Sequence, residues 1–80
     1  MHFMPTFRIC VFNDDFCATD DHECLDADAA AKAALRGWLD IGVGQVMRGK
    51  PFFCAEVTVH EGRERVRHFT IAIGTSPLMI

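Results

Sequence analysis

Two alternating runs of residues in the C-terminal half constrain the fold of this chain most strongly. The alternating positions are Phe53, Ala55, Val57 and Val59 in the run 52–60, and Arg67, Phe69, Ile71 and Ile73 in the run 65–73. A period of two predicts strands with one buried face. Pairing Val57 with Phe69 brings both sets onto one face and predicts an antiparallel hairpin with a three-residue loop at 62–64. A two-residue loop would shift the register and turn one set outward.

A long helix is expected before this hairpin. Leu25 and Asp26 provide an apolar residue and an N-cap, and Asp28 places a negative charge in the first turn. Gly49 followed by Pro51 is a stop signal. Between them, a helical spacing of three and four predicts one buried apolar stripe: Ala27, Ala31, Ala34, Leu35, Trp38, Leu39, Val43, Val46 and Met47.

The N-terminal part predicts one clear strand and one weaker one. Residues 6–12 alternate, with Phe7, Ile9 and Val11 on one side. A turn is expected at 13–15 and a short returning strand at 16–19. The segment 20–24 is interpreted as an acidic loop.

These elements predict an α+β protein with two layers. An antiparallel sheet of three to four strands, in the order β-β-α-β-β, carries one long helix on one face. Residues 1–80 form a single domain, in which the N-terminal extension 1–4 and the C-terminal tail 75–80 are expected to be the mobile parts.

Half of the 80 residues are hydrophobic, which is more apolar surface than a chain of this length can hide. A domain this small buries only about 60% of the surface that its unfolded chain exposes. Because one helix covers one face, we expect the surplus on the uncovered face of the sheet, as a homodimer contact. The interface candidates are Phe12, Cys54, Val66, Leu78, Met79 and Ile80.

The net charge of −3 argues against a nucleic-acid-binding surface. No apolar run reaches the roughly 20 residues of a membrane span. The N-terminal residues lack the basic and apolar regions of a secretion signal. We therefore expect a cytoplasmic protein with four reduced cysteines and without contact to membranes.

No group of residues indicates an active site. Cys17, His22 and Cys24 are weak metal candidates, but structural zinc sites prefer closely spaced cysteine pairs, so no metal or cofactor is predicted. The carboxylates around Cys17 and Cys24 disfavour a reactive thiolate. The acidic segment also lacks the spacing of a calcium loop. We expect no catalytic residue.

Arg63, Arg65, Arg67 and His68 form a local basic strip. The expected course of the chain brings the hairpin turn towards the helix N-terminus and the acidic segment 20–28. The arginines are then balanced either by the chain's own acids or by those of a neighbouring subunit.

The chain resembles a family of short bacterial proteins that contain a domain of unknown function. The matching segments are the opening strand at 4–12, the helix entry L-D-A-D-A-A-A-K-A-A-L at 25–35, R-G-K-P at 48–51 and the hairpin at 56–63. The chain departs from the family at 13–15, where the family has a D-x-G turn. A looser similarity is to the partial RNase-H-like fold of HicB-type antitoxins. The resemblance implies a fold and no activity.

The sequence therefore predicts a non-enzymatic, self-associating interaction module. Two alternatives stay open: an antitoxin-like or regulatory partner of another protein, and a small zinc-binding protein.

Overall fold

One four-stranded antiparallel sheet and one helix make up the described part of the chain. The structure, a computed structural model, describes residues 4–75. In chain order the elements are β1 (Thr6–Phe12), β2 (Cys17–Glu23), α1 (Ala27–Met47), β3 (Phe52–Glu61) and β4 (Glu64–Gly74). The strand order in the sheet is β2-β1-β3-β4. The α+β class is confirmed. Residues 1–3 and 76–80 of the two terminal segments lie outside the described residues.

The register of the β3–β4 hairpin is confirmed, and its loop length is wrong. Val57 pairs with Phe69 as predicted, but Glu61 pairs with Glu64, so the loop has two residues. A β-bulge at Val66 inserts one extra residue into β4 and restores the register. Gly62 has a φ of +62°, which a two-residue hairpin loop requires at its first position.

The bulge also corrects the place of one interface candidate. Val66 was expected on the uncovered face of the sheet. In the structure it is half-buried and packs against the hydrophobic core. Because the bulge breaks the alternation of β4 at this residue, simple period-two reasoning assigns the wrong face to Val66.

The acidic segment 20–24 is mostly a strand, which corrects the predicted loop. β2 extends from Cys17 to Glu23 and pairs with β1 along its whole length. Asn13 forms the preceding turn, since its side-chain oxygen accepts hydrogen bonds from the amides of Asp15 and Phe16. Pairing with β1 satisfies one side of the β2 backbone, and charged side chains are common on such an edge strand.

The ends of α1 follow the sequence signals. Asp26 is the N-cap, and its carboxylate accepts a hydrogen bond from the amide of Ala29 at 2.8 Å. Asp28 forms an ion pair with Lys32 one turn later. Gly49, with a φ of +108°, ends the helical course of the chain.

The core lies between α1 and the face of the sheet that the helix covers, called the inner face below. Its buried residues come from three strands and the helix: Phe7, Ile9, Val11, Ala30, Ala34, Phe53, Ala55, Val57, Val59 and Ile71. The helix contributes only alanines to this set. The large core side chains therefore all come from the sheet.

The predicted apolar stripe of α1 is only partly right. Ala34 is buried, and Ala27, Trp38 and Val46 are half-buried against the core. Four other predicted members are exposed: Leu35, Leu39, Val43 and Met47. The helix instead approaches the sheet through small residues, of which Gly42 comes closest. A β-carbon built on Gly42 would lie 2.6 Å from Ile73 Cδ1 and 2.7 Å from Phe53 Cδ1.

We predict that Gly42→Ala lowers the free energy of unfolding by about 1–3 kcal/mol, because the added methyl group overpacks the contact with Phe53 and Ile73. Gly44→Ala is the matched control, since no atom lies within 4 Å of a β-carbon there. The control should raise stability by up to about 1 kcal/mol through helix propensity. Urea unfolding of both variants measures the difference, and equal stabilisation by both would contradict the close packing.

Candidate interaction surfaces

The face of the sheet turned away from α1, called the open face, is mainly polar. Arg8 Nε donates a hydrogen bond to Asp21 Oδ1 at 3.1 Å. This bond, and then the charge of the carboxylate, raise the pKa of the Arg8 guanidinium above its usual value. A second pair joins the His68 ring to the Glu56 carboxylate on the neighbouring strand. Charged and polar side chains thus occupy the region where we predicted an apolar interface.

Among the described residues, the apolar surface of the open face is confined to one end. Phe12 is 43% exposed, and it lines a shallow depression together with Cys54 and Glu56. The structure therefore brings together two of the predicted interface residues, Phe12 and Cys54. Leu78, Met79 and Ile80 lie outside the described residues.

The weak metal candidates do not converge. Cys17 and His22 stand at opposite ends of β2, opposite Phe12 and Phe7 of β1 respectively. Five residues of a strand separate them by about 16 Å, and an odd separation places them on opposite faces. Within residues 4–75, no group of three potential metal-ligating side chains is found.

A row of exposed apolar side chains lies on α1, at positions that were predicted to belong to the core. Leu35, Leu39 and Val43 follow one another at intervals of four residues and are 39%, 37% and 47% exposed. We call these three residues the ridge. The sequence signal for it was the helical spacing of Ala30, Ala34 and Gly42, since small residues allow close contact with a sheet. No helix in the described part of the chain is long and apolar enough to cross a membrane.

A groove of about 340 Å³ lies on the opposite flank of α1, between the helix and β2. It is lined mainly by small and apolar residues: Ile9, Val11, Ala18, Ala33, Gly37 and Trp38. Phe16 stacks on Trp38 with ring centroids 5.1 Å apart. The groove exists because α1 packs mainly on β3 and β4. One helix thus leaves the β1–β2 half of the inner face without a cover of its own.

The two edges of the sheet carry opposite charges. β2 contributes Asp20, Asp21 and Glu23, whereas β4 contributes Arg65 and Arg67. The strand order places these edges three strand spacings apart, which is about 14 Å. Among the described residues, neither arginine forms an ion pair. We predicted that these arginines pair with acidic residues either of their own chain or of a neighbouring subunit. Ion pairs with their own chain are therefore not found among the described residues.

Comparison of the chain with known protein families, with curated proteins and with solved structures finds no match. The resemblance to short bacterial proteins stays a prediction.

We predict that the ridge contributes little to the stability of the single chain. Leu39→Ser should lower the free energy of unfolding by about 1 kcal/mol, because more than a third of the side chain is already in contact with water. Ile71→Ala should cost about 2–5 kcal/mol, because Ile71 is 3% exposed and its loss leaves a cavity. Urea unfolding at low protein concentration compares the two, and a similar loss for both variants would place Leu39 in the core.

Proposed function

We propose that this protein is a non-enzymatic interaction module that associates with copies of itself. The observation that carries the proposal is the ridge, because three large apolar side chains in a row face solvent on the longest element of a small protein. An exposed apolar row of this kind is typical of a contact surface.

The incomplete cover of the sheet supports the same function. One helix packs mainly on β3 and β4, whereas a two-layer domain normally covers the whole apolar face of its sheet. β2 is exposed except at Ala18, which is half-buried. Apolar surface on both flanks of α1 thus favours contact with another chain.

A cytoplasmic location belongs to this proposal. The four cysteines of the chain are free, and Cys17 and Cys54 are exposed. Exposed thiols are kept reduced in the cytoplasm, where disulfides are rare.

Sedimentation velocity from a few micromolar to a few hundred micromolar tests self-association. We expect the sedimentation coefficient to rise with concentration. Leu35→Ser combined with Leu39→Ser should weaken the association, because it removes apolar surface from the contact. Leu25→Ser is the control, since Leu25 is exposed but precedes the helix.

A single species with the mass of one chain over the whole concentration range would overturn the proposed function. Association that the ridge variant leaves unchanged would show that another surface, such as the apolar end of the open face, forms the contact.

A further inference from the structure

Within residues 4–75, both edges of the sheet are free to accept another strand. β2 and β4 each pair with a neighbour on one side only. β4 runs parallel to β1, because both are antiparallel to β3, and β2 runs antiparallel to β1. If a second copy is placed beside the first without being turned over, its β2 therefore runs antiparallel to β4. The direction of the strands permits an unbroken antiparallel sheet across the two copies.

The register across the sheet sets opposite charges against each other at this junction. Two rows of paired residues cross the sheet: Asp21–Arg8–His60–Arg65 and Asp20–Ile9–Val59–Arg67. If the second copy continues these rows without a shift in register, Arg65 lies opposite Asp21 of the next copy and Arg67 lies opposite Asp20 of the next copy. Opposite charges on directly paired residues stabilise strand pairing.

A slip of two residues in either direction gives a poorer match. One slip sets Glu64 opposite Asp20 of the next copy, which places like charges together. The other keeps Arg65 opposite an acidic residue, Glu23 of the next copy, but moves Arg67 from Asp20 to His22. It also sets Phe69 opposite that same aspartate, which brings a carboxylate against an aromatic ring. In the unslipped register Phe69 faces Ala18 instead. The charge pattern therefore favours a single register, as strand pairing with one apolar face requires.

The ridge lies on the flank of α1 next to the β4 edge, where β2 of the next copy would lie. Leu35 lies two positions after Ala33, and Leu39 lies two positions after Gly37. Two positions correspond to about 200° around the helix, so the leucines and these groove residues lie on opposite flanks of α1. Since the groove faces β2, the ridge faces the β4 edge. A strand paired to β4 would lie beneath the ridge, with the small side chain of Ala18 leaving room for the leucines.

From these placements we propose that copies of this chain join head to tail, the β4 edge of one copy pairing with the β2 edge of the next. This inference rests on the proposed self-association and names its geometry. Each copy is displaced by four strand spacings, about 19 Å. A strand twist of about 20–25° rotates each copy by about 80–100°. The contact joins two different surfaces, so association continues beyond a dimer unless a ring closes.

Charge reversal at either edge tests the pairing in the full-length protein. Arg65→Glu with Arg67→Glu makes the β4 edge acidic, and Asp20→Arg with Asp21→Arg makes the β2 edge basic. Each double variant alone sets like charges together, and its dissociation constant in sedimentation velocity should rise about tenfold or more. An equimolar mixture should associate again, because each altered edge meets an altered edge of opposite charge.

The control variant is Asp14→Arg with Asp15→Arg, which lies in the turn between β1 and β2, outside the paired residues and the ridge. It makes the same change in net charge as the β2 variant and should leave association unchanged. Circular dichroism checks that each variant is folded, and a folded Asp20→Arg single variant, which keeps the Arg8–Asp21 pair, replaces the double variant if that fails to fold. Loss at both edges with recovery in the mixture supports the proposal.

Association that the β2 variant leaves intact would overturn head-to-tail pairing while preserving self-association, as expected for a two-fold β4–β4 contact. Loss at both edges without recovery would overturn the pairing of Arg65 and Arg67 with Asp20 and Asp21. A wild-type protein that stays monomeric would overturn both this inference and the proposed function.

Discussion

The close contact of Gly42 with Phe53 and Ile73 determines where the helix lies and, through it, which surfaces stay free. Because α1 meets the sheet with alanines and a glycine, it sits close above β3 and β4. The large side chains of the helix then have no place in the core and form the ridge instead. The same position leaves the β1–β2 half of the inner face beside a groove. A helix with leucines in the place of Ala30 and Ala34 would have to stand further from the sheet.

The sequence predicted the strands and the helix of this fold better than it predicted which of their side chains are buried. The pairing of Val57 with Phe69 could be predicted because a half-buried strand fixes its register by alternation. The bulge at Val66 could not be predicted. A two-residue loop followed by one extra residue in β4 gives the same pairing of Val57 with Phe69 as a three-residue loop without a bulge. The sequence pattern of Asp20 and Asp21 predicts a loop, because acidic residues are rare in buried strands, although they are ordinary on an edge strand. The hydrophobicity of Leu35 and Leu39 predicts that they belong to the core. The helix packs on the sheet through smaller residues instead, which leaves the two leucines exposed.

A short chain has more apolar side chains than its core can bury. This excess connects the fold with the proposed function. We expected that surplus on the open face, where Phe12 and Cys54 do provide a small apolar area. The open face is otherwise polar, with Arg8 paired to Asp21 and His68 in contact with Glu56. Further exposed apolar side chains lie on α1, above an edge strand whose arginines form no ion pair in the described part of their own chain. In the proposed assembly, a second copy supplies both a strand for that edge and cover for the ridge.

Hydrogen exchange of the backbone amides, followed while the protein concentration rises, tests the central claim most directly. An edge strand that gains a partner gains hydrogen bonds on its free side, and its amides exchange more slowly. The account predicts that amides of β2 and β4 become protected together, over the same range of concentration. Protection of β4 without β2, or fast exchange at both edges while the protein is associated, would contradict it.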